Sequence, residues 1–448
     1  MNYTEFKNAV IAKAESMGIA EYELYYNCAA STSVGAFQHE INEFSASSEG
    51  GVCFRCIVNG KMGYASTEAL NPEQAAALVE QAVDNASVLE AEEPVFLNEG
   101  GKTYQSVDRE IYPLPSTEEL ISTVLATQQK LYDTDPAVVD GCMTEGISES
   151  FQIAIYNSKG LDLIYESNVA GLVIGAVVQK GEEKVNNYEI KIGKLDTIDT
   201  TALTKKSVDA ALKKLGGEVA PTGNYPVVFS PDAMHGLLSV FSSVFSSEAA
   251  QKGLSKLANA EGSVIASEVV TLVDDPFHPM SPLPIPFDAE GSPTYRKNII
   301  EKGELKTLLY NLKTANMAGK TTTGNASKAG YDSPIGLRPF TMFVEPGEIS
   351  EEELLAKAGN GVYITSLMGL HAGASAVTGD FSLQSAGFMI EDGKLTIPVK
   401  SFTVAGNFYD LLKGITAVAN NMELPMATGQ TAFGAPSVLV EGLSIAGK

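Results

Sequence analysis

The chain has 448 residues, 44% of them hydrophobic, with mean hydropathy near zero. That is room for two or three domains, each burying its own core. Lys and Arg number 31 against 55 Asp and Glu, a net charge of −24, which argues against a nucleic-acid binder, since phosphate backbones need basic faces, and against a protein held on anionic lipid.

The opening MNYTEFKNAVIAKAESMG alternates charge with apolar residues and has no signal-peptide apolar region. No uninterrupted apolar run reaches the roughly 18–20 residues of a membrane span. Cysteines stand at 28, 53, 56 and 142, too few for a disulfide scaffold in a chain this long. These features lead us to expect a cytoplasmic protein with neither nucleic acid nor membrane as partner.

In chain order, the first segment reads as a helix. Thr4 can cap it, Phe6, Val10, Ala14 and Met17 share a face, and Gly18 ends it. Strand-like runs follow at 23–30 and 51–58, the second closing on the hairpin signal Asn59-Gly60. Asn71-Pro72 starts a helix with core face Ala75, Leu78, Val79, Ala82 and Ala86. Residues 91–115 read as a connector. Ser116-Thr-Glu-Glu119 is a capping box opening a helix to about Tyr132. A β-rich run at 137–192 turns at Asn157-Ser-Lys-Gly160 and at Lys180-Gly-Glu-Glu-Lys184, and a helix lies near 200–215. The first half therefore reads helix, strands, helix, twice over.

Pro221-Thr-Gly-Asn-Tyr-Pro226 is dense in chain breakers and marks the expected domain boundary. The expected domains are 1–220, with candidate sub-units 1–100 and 110–220, and 221–448. The second half opens with a buried strand at 226–230 and an amphipathic helix over 232–245. Strand candidates follow at 295–301, 305–312, 340–345, 361–366, 381–390, 395–404 and 436–445, with a hairpin at Asp392-Gly393 and a short helix capped by Ser350. The expected fold is α+β: an N-terminal α/β region with a mixed sheet, then an antiparallel, barrel-like β domain with a few helices.

Most chemical motifs fail on inspection. Cys53-Phe-Arg-Cys56 lies in a strand-like run, where residues three apart point to opposite faces, and it reads as buried cysteines. Gly319-Lys-Thr321 lacks the upstream glycine of a phosphate loop, because position 314 is Thr. No GxSxG occurs. The four histidines, 39, 235, 278 and 371, form no HExxH or close pair. A zinc site from His235, His278 or His371 with Asp274, Asp275, Asp288 or Asp380 would need long-range folding, against the plainer reading of loop histidines and turn aspartates.

One ordered set of strings is specific. It runs Phe287-Asp-Ala-Glu-Gly-Ser-Pro-Thr-Tyr-Arg296, Ile300-Glu-Lys-Gly303, Tyr310-Asn-Leu-Lys-Thr-Ala315, Thr322-Thr-Gly-Asn325, Glu345-Pro-Gly347, Gly361-Val-Tyr-Ile364, Thr378-Gly-Asp-Phe-Ser382 and Ala405-Gly-Asn407, with a first block from Gly51 to Thr67. In that order the strings resemble the TldD/PmbA family, once called modulators of DNA gyrase and now regarded as peptidases. The resemblance implies two subunit types. The TldD type carries HExxxH on a helix and a distant cysteine that together bind zinc, with the glutamate as general base. The PmbA or TldE type lacks that set and pairs with it.

Aligned from Pro231, the motif positions here hold Ser239, Val240 and Val244, and no cysteine follows Cys142. The resemblance therefore implies a PmbA/TldE-like subunit of a two-component zinc peptidase acting on unstructured peptides. It would have no catalytic residue or metal of its own; zinc and base would come from a TldD-type partner in a heterodimer, with homodimers when isolated. Arg296, His371 and Asp380 are the expected peptide-binding groups, and strand edges suit backbone-paired recognition. The rivals are a stand-alone peptidase with an unrecognised site and a peptide-binding scaffold without a protease role.

Overall fold

The computed structural model describes residues 1–90, 94–108, 111–424 and 431–448. The first half contains α1 Tyr3–Ser16, β1 Glu21–Phe37, β2 Glu40–Val58, β3 Lys61–Thr67, α2 Pro72–Val88, α3 Thr117–Asp133, β4 Met143–Asn157, β5 Asp162–Lys180, β6 Glu183–Ile192 and α4 Thr200–Lys213. Its strands form one six-stranded sheet, ordered β3-β2-β1-β4-β5-β6. Two αβββα units thus join where β1 pairs antiparallel with β4, from Glu23↔Asn157 to Phe37↔Met143. The palindromic order gives the pair an approximate two-fold axis between β1 and β4.

Even-numbered side chains of β1 face the helices. Tyr22, Leu24, Phe54 and Cys56 pack with α1 and α2, while Val34, Ala36, Leu172 and Ile174 pack with α3 and α4. Each unit has a glycine where a helix comes close. A Cβ on Gly63 would collide with the Ala82 carbonyl oxygen, and one on Gly146 would meet Val124 Cγ2 at 2.8 Å. The opposite face carries Tyr25, Cys53 and Ile155, which pack on Phe287, Ala289 and Ala326 of the second half. Cys53 and Cys56 thus point to opposite sides of β2, and both are free thiols.

The second half begins with β7 Glu218–Val219, β8 Gly223–Phe229, α5 Pro231–Phe241, α6 Ser247–Gln251, β9 Leu272–Asp274, β10 Lys297–Glu301, β11 Glu304–Leu305 and α7 Leu312–Ala318. Next come β12 Ala326–Ser327, β13 Gly336–Leu337, β14 Thr341–Val344, α8 Glu351–Ala358, β15 Gly361–Met368, α9 Leu370–Gly373 and β16 Asp380–Glu391. The last elements are β17 Lys394–Asn407, α10 Phe408–Gly414, β18 Ile415–Val418, β19 Ala432–Gly434 and β20 Val438–Ala446. Strands β20, β8, β15, β16 and β17 close into a five-stranded barrel, because β17 pairs back onto β20. A second sheet runs β11-β10-β9-β14-β19. The main core joins the two: Phe229, Ile364, Phe402 and Ile445 with Phe241 of α5 and Phe408 of α10, whose rings stack at 4.5 Å.

The fold is α+β with a barrel, as the sequence implies. Strand directions are distributed differently. The N-terminal sheet is antiparallel throughout rather than mixed. The parallel pairs lie in the second half, at β8–β15, β7–β17 and β14–β19. Tight hairpins dictate antiparallel neighbours, whereas the long excursion from Phe229 to Gly361 permits a parallel return. Among the described residues, no helix is long and apolar enough to cross a membrane.

Candidate functional site

The helix expected at 232–245 starts as the sequence predicts. Ser230 Oγ accepts the Ala233 N–H at 3.2 Å, and Pro231 fills the first position. It ends sooner: α5 stops at Phe241, and Ser242–Phe245 tightens into a 3-10 turn. Stacking of Phe241 on Phe408 and burial of Val244 and Phe245 pull the chain inward there. Ser239 spends its hydroxyl on the Gly236 carbonyl at 2.8 Å. Val240 packs on the core, and Val244 lies beyond the α-helix. His235 Nδ1 meets the Phe433 carbonyl oxygen at 3.0 Å.

The family's zinc can be tested against these side chains. One hydroxyl bonded to its own helix and two aliphatic groups offer neither imidazole, thiolate nor carboxylate, so the residues do not fit the metal. Among the described residues, no three of His, Cys, Asp and Glu cluster closely enough to hold an ion.

His371 and Asp380 lie in one neighbourhood. His371 is exposed on α9, the short helix that packs on α5 through Leu370. Asp380 opens β16, where its carbonyl accepts the Ser375 N–H at 2.9 Å. Its carboxylate accepts from Asn407 Nδ2 at 2.8 Å, and hydrogen bonds from Asn407 and Thr378 hold it below the usual carboxylate range. Together with Gly379, whose φ is +83°, it builds the turn between α9 and β16. Arg296 sits just before β10 of the other sheet, 2.8 Å from Glu345 and 3.9 Å from Asp275. It makes no contact with His371 or Asp380 among the described interactions.

Of the polar residues at the seam between the halves, the sequence marks only Asp288, as a candidate ligand. Glu23 and Arg55 are paired across β1 and β2 and form an ion pair at 2.6 Å, with both side chains buried. Asn157 Nδ2 donates to Glu23 at 3.2 Å and to the Asn98 carbonyl at 2.9 Å. Asn98 donates in turn to the Glu290 carbonyl and Ser292 Oγ, each at 3.0 Å. The string beginning at Phe287 is therefore a docking loop. Asp288 accepts backbone N–H groups of Glu290, Ser292 and Ala326 at 2.8–3.0 Å. Burial still pushes its carboxyl up to about 6. Burial and the Asp288 charge push Glu290 up to about 8, against the pull of Arg55. One signal for this cluster was readable in the sequence: Glu23 and Arg55 interrupt otherwise apolar strands.

Asp274, a candidate ligand above, is fully buried and accepts from Lys297 Nζ at 3.1 Å, Asn325 Nδ2 at 2.8 Å and the N–H groups of Phe340 and Thr341. It is a structural anchor at the end of β9 that ties distant segments together, rather than the turn aspartate the sequence suggested.

The duplicated αβββα sheet and the closed mixed barrel coincide with domains described as those of a metallopeptidase family. The family models agree: residues 22–86 match PmbA/TldA metallopeptidase domain 1, 112–215 the central domain and 222–447 the C-terminal domain. The chain belongs to this PmbA/TldD family. The crystal structure of TM0727 from Thermotoga maritima MSB8, described as a candidate DNA gyrase modulator, is 30% identical with a TM-score of 0.89, over 99% of this chain and 100% of that one. TldE from Thermococcus kodakarensis is 25% identical with a TM-score of 0.88, covering 98% and 99%. The metalloprotease PmbA of Escherichia coli O157:H7 is 25% identical over 93% of this chain and 90% of its own.

Proposed function

We propose that this chain is a TldE/PmbA-type subunit of a two-component zinc metallopeptidase, itself without metal or catalytic base. The observation that carries the reading is the stretch from α5 into the following 3-10 turn, where Ser239, Val240 and Val244 fall at the aligned motif positions and offer one hydroxyl and two aliphatic groups. A TldD-type partner would supply zinc and base in a heterodimer. This chain would hold an unstructured cytoplasmic peptide and exclude water around it, with His371 and Asp380 beside α5 flanking the path. Similarity to TldE favours this role over that of a stand-alone enzyme.

The test is metal content and peptidase activity of the purified chain, alone and mixed with a TldD-type protein. Neither stoichiometric zinc nor cleavage is expected alone, and cleavage is expected in the mixture. Zinc-dependent cleavage by the chain alone overturns the reading, and so does a mixture that neither associates nor cleaves.

A further inference from the structure

The helix-free face of the six-stranded sheet and the loops around Phe287, Lys328 and Arg338 enclose a chamber of about 170 Å³. Its walls carry the aromatic rings of Tyr25, Phe151, Phe287 and Phe340 among aliphatic and polar side chains. Lys328 lines it while only 5% exposed, with Nζ 5.1 Å from the Tyr25 ring centre. Among the described residues, this ammonium has no carboxylate in ion-pair range. Asp288 also lines the chamber, but its oxygens are engaged by three backbone N–H groups. The contrast within the molecule is Lys297, equally buried, which meets Asp274 at 3.1 Å. A buried ammonium without a counter-charge is costly, and burial pulls Lys328 below the usual lysine range. Arg338 adds a second positive charge on the same wall.

The chamber is also the inner end of a path. Glu149, Val169 and Leu283 are shared with a second cavity of about 210 Å³ along Ser31 and Ser33. That cavity shares Ile192 and Pro282 with an open cleft beside β6.

We propose that the chamber is a pocket for the C-terminal carboxylate of an extended peptide. The carboxylate pairs with Lys328 and Arg338, an apolar last side chain lies among the phenylalanines, and the preceding residues run outward along the groove. This rests on the peptide-holding role proposed above and specifies which end of the substrate is held.

The chain contains no tryptophan, so a tryptophan-bearing peptide reports binding by its own fluorescence. The probe is acetyl-Trp-Gly-Gly-Leu as free acid and as C-terminal amide, titrated into the full chain alone. The free acid is expected to bind about tenfold more tightly, the scale of a charge-assisted contact in a dry site. Lys328→Met should erase the difference and, by removing an unpaired buried charge, should not lower the melting temperature; Lys328→Arg should keep the preference. N-acetylleucine should bind more weakly than the tetrapeptide acid, because it leaves the groove empty. Equal affinity for acid and amide overturns the proposal, as does a preference that survives Lys328→Met, a Lys328→Met variant that melts lower, or N-acetylleucine matching the peptide. The readout needs no partner, so its failure leaves the mixed peptidase assay standing, and failure of that assay leaves this one standing.

Discussion

The surroundings of α5 and the seam between the halves are built on opposite principles. Around α5 the motif positions and their core neighbours are apolar or satisfied close to home: Ser239 bonds its own helix, and Phe241 and Val244 belong to the main core. At the seam the chain buries Glu23, Arg55, Asp288, Glu290 and Lys328; Glu23 and Arg55 pair within the first half, and the hydrogen bonds run on through Asn157 and Asn98 to the Glu290 carbonyl in the second. A hydrophobic core tolerates loss of chemistry, because nothing there depends on charge. A buried polar network does not, because each member left without its partner is penalised by desolvation. The difference places this buried charged cluster at the seam rather than around α5.

The largest expected effect tests the seam. Arg55→Met strands the Glu23 carboxylate and should cost about 3–5 kcal/mol in denaturant unfolding, whereas Glu23→Met with Arg55→Met should cost far less. An additive double variant would mean that the pair does not act as a unit. Next comes pH. Glu290 and Asp288 bind protons more readily in the folded chain than in the unfolded one, so stability present below about pH 4.5 should drain away as pH rises toward about 8. The slope should not exceed about 1.4 kcal/mol per pH unit for each group. Glu290→Gln should flatten the thermal-melting profile across that window, and an unchanged profile would assign the slope elsewhere. Arg296→Ala breaks only exposed ion pairs and should change stability by about 0–1 kcal/mol. The smallest effect belongs to α5: Ser239→His, Val240→Glu and Val244→His together should not yield stoichiometric zinc by elemental analysis, because residue 244 has left the α-helix.

What the sequence disclosed follows from how local each feature is. The Ser116–Glu119 box, Asn71-Pro72 and the Asn59-Gly60 turn appear in place because each is decided within a few residues. The first cap shifted from Thr4 to Asn2, which forms its own box with Glu5. The strands at 23–30 and 51–58 proved to be parts of β1 and β2, which extend on to meet at Gln38-His39. Their outer ends are rich in Ser and small residues; pairing of β1 with both β2 and β4 makes them strands. Both turn residues take positive φ, and His39 offsets that strain by stacking on Tyr132 at 4.2 Å and donating its N–H to Gln128 at 2.8 Å. The stretch 305–312 reads as a strand but supplies only the end of β11 before Asn311 caps α7. The family strings were legible as an order. Lys328 was not, because its lack of a carboxylate partner depends on Asp288 being engaged by backbone N–H groups that only the tertiary fold brings near.

Closure of the barrel has a consequence for any guest that binds through its main chain. Pairing of β17 with β20 leaves those five strands no continuous free rim, and the flanking β7 and β18 are two and four residues long. Strand β3 and strand β6 end the six-stranded sheet with seven and ten residues. An incoming backbone seeking a long ladder would therefore extend the duplicated sheet at β6, whose outer residues also border the mouth of the groove.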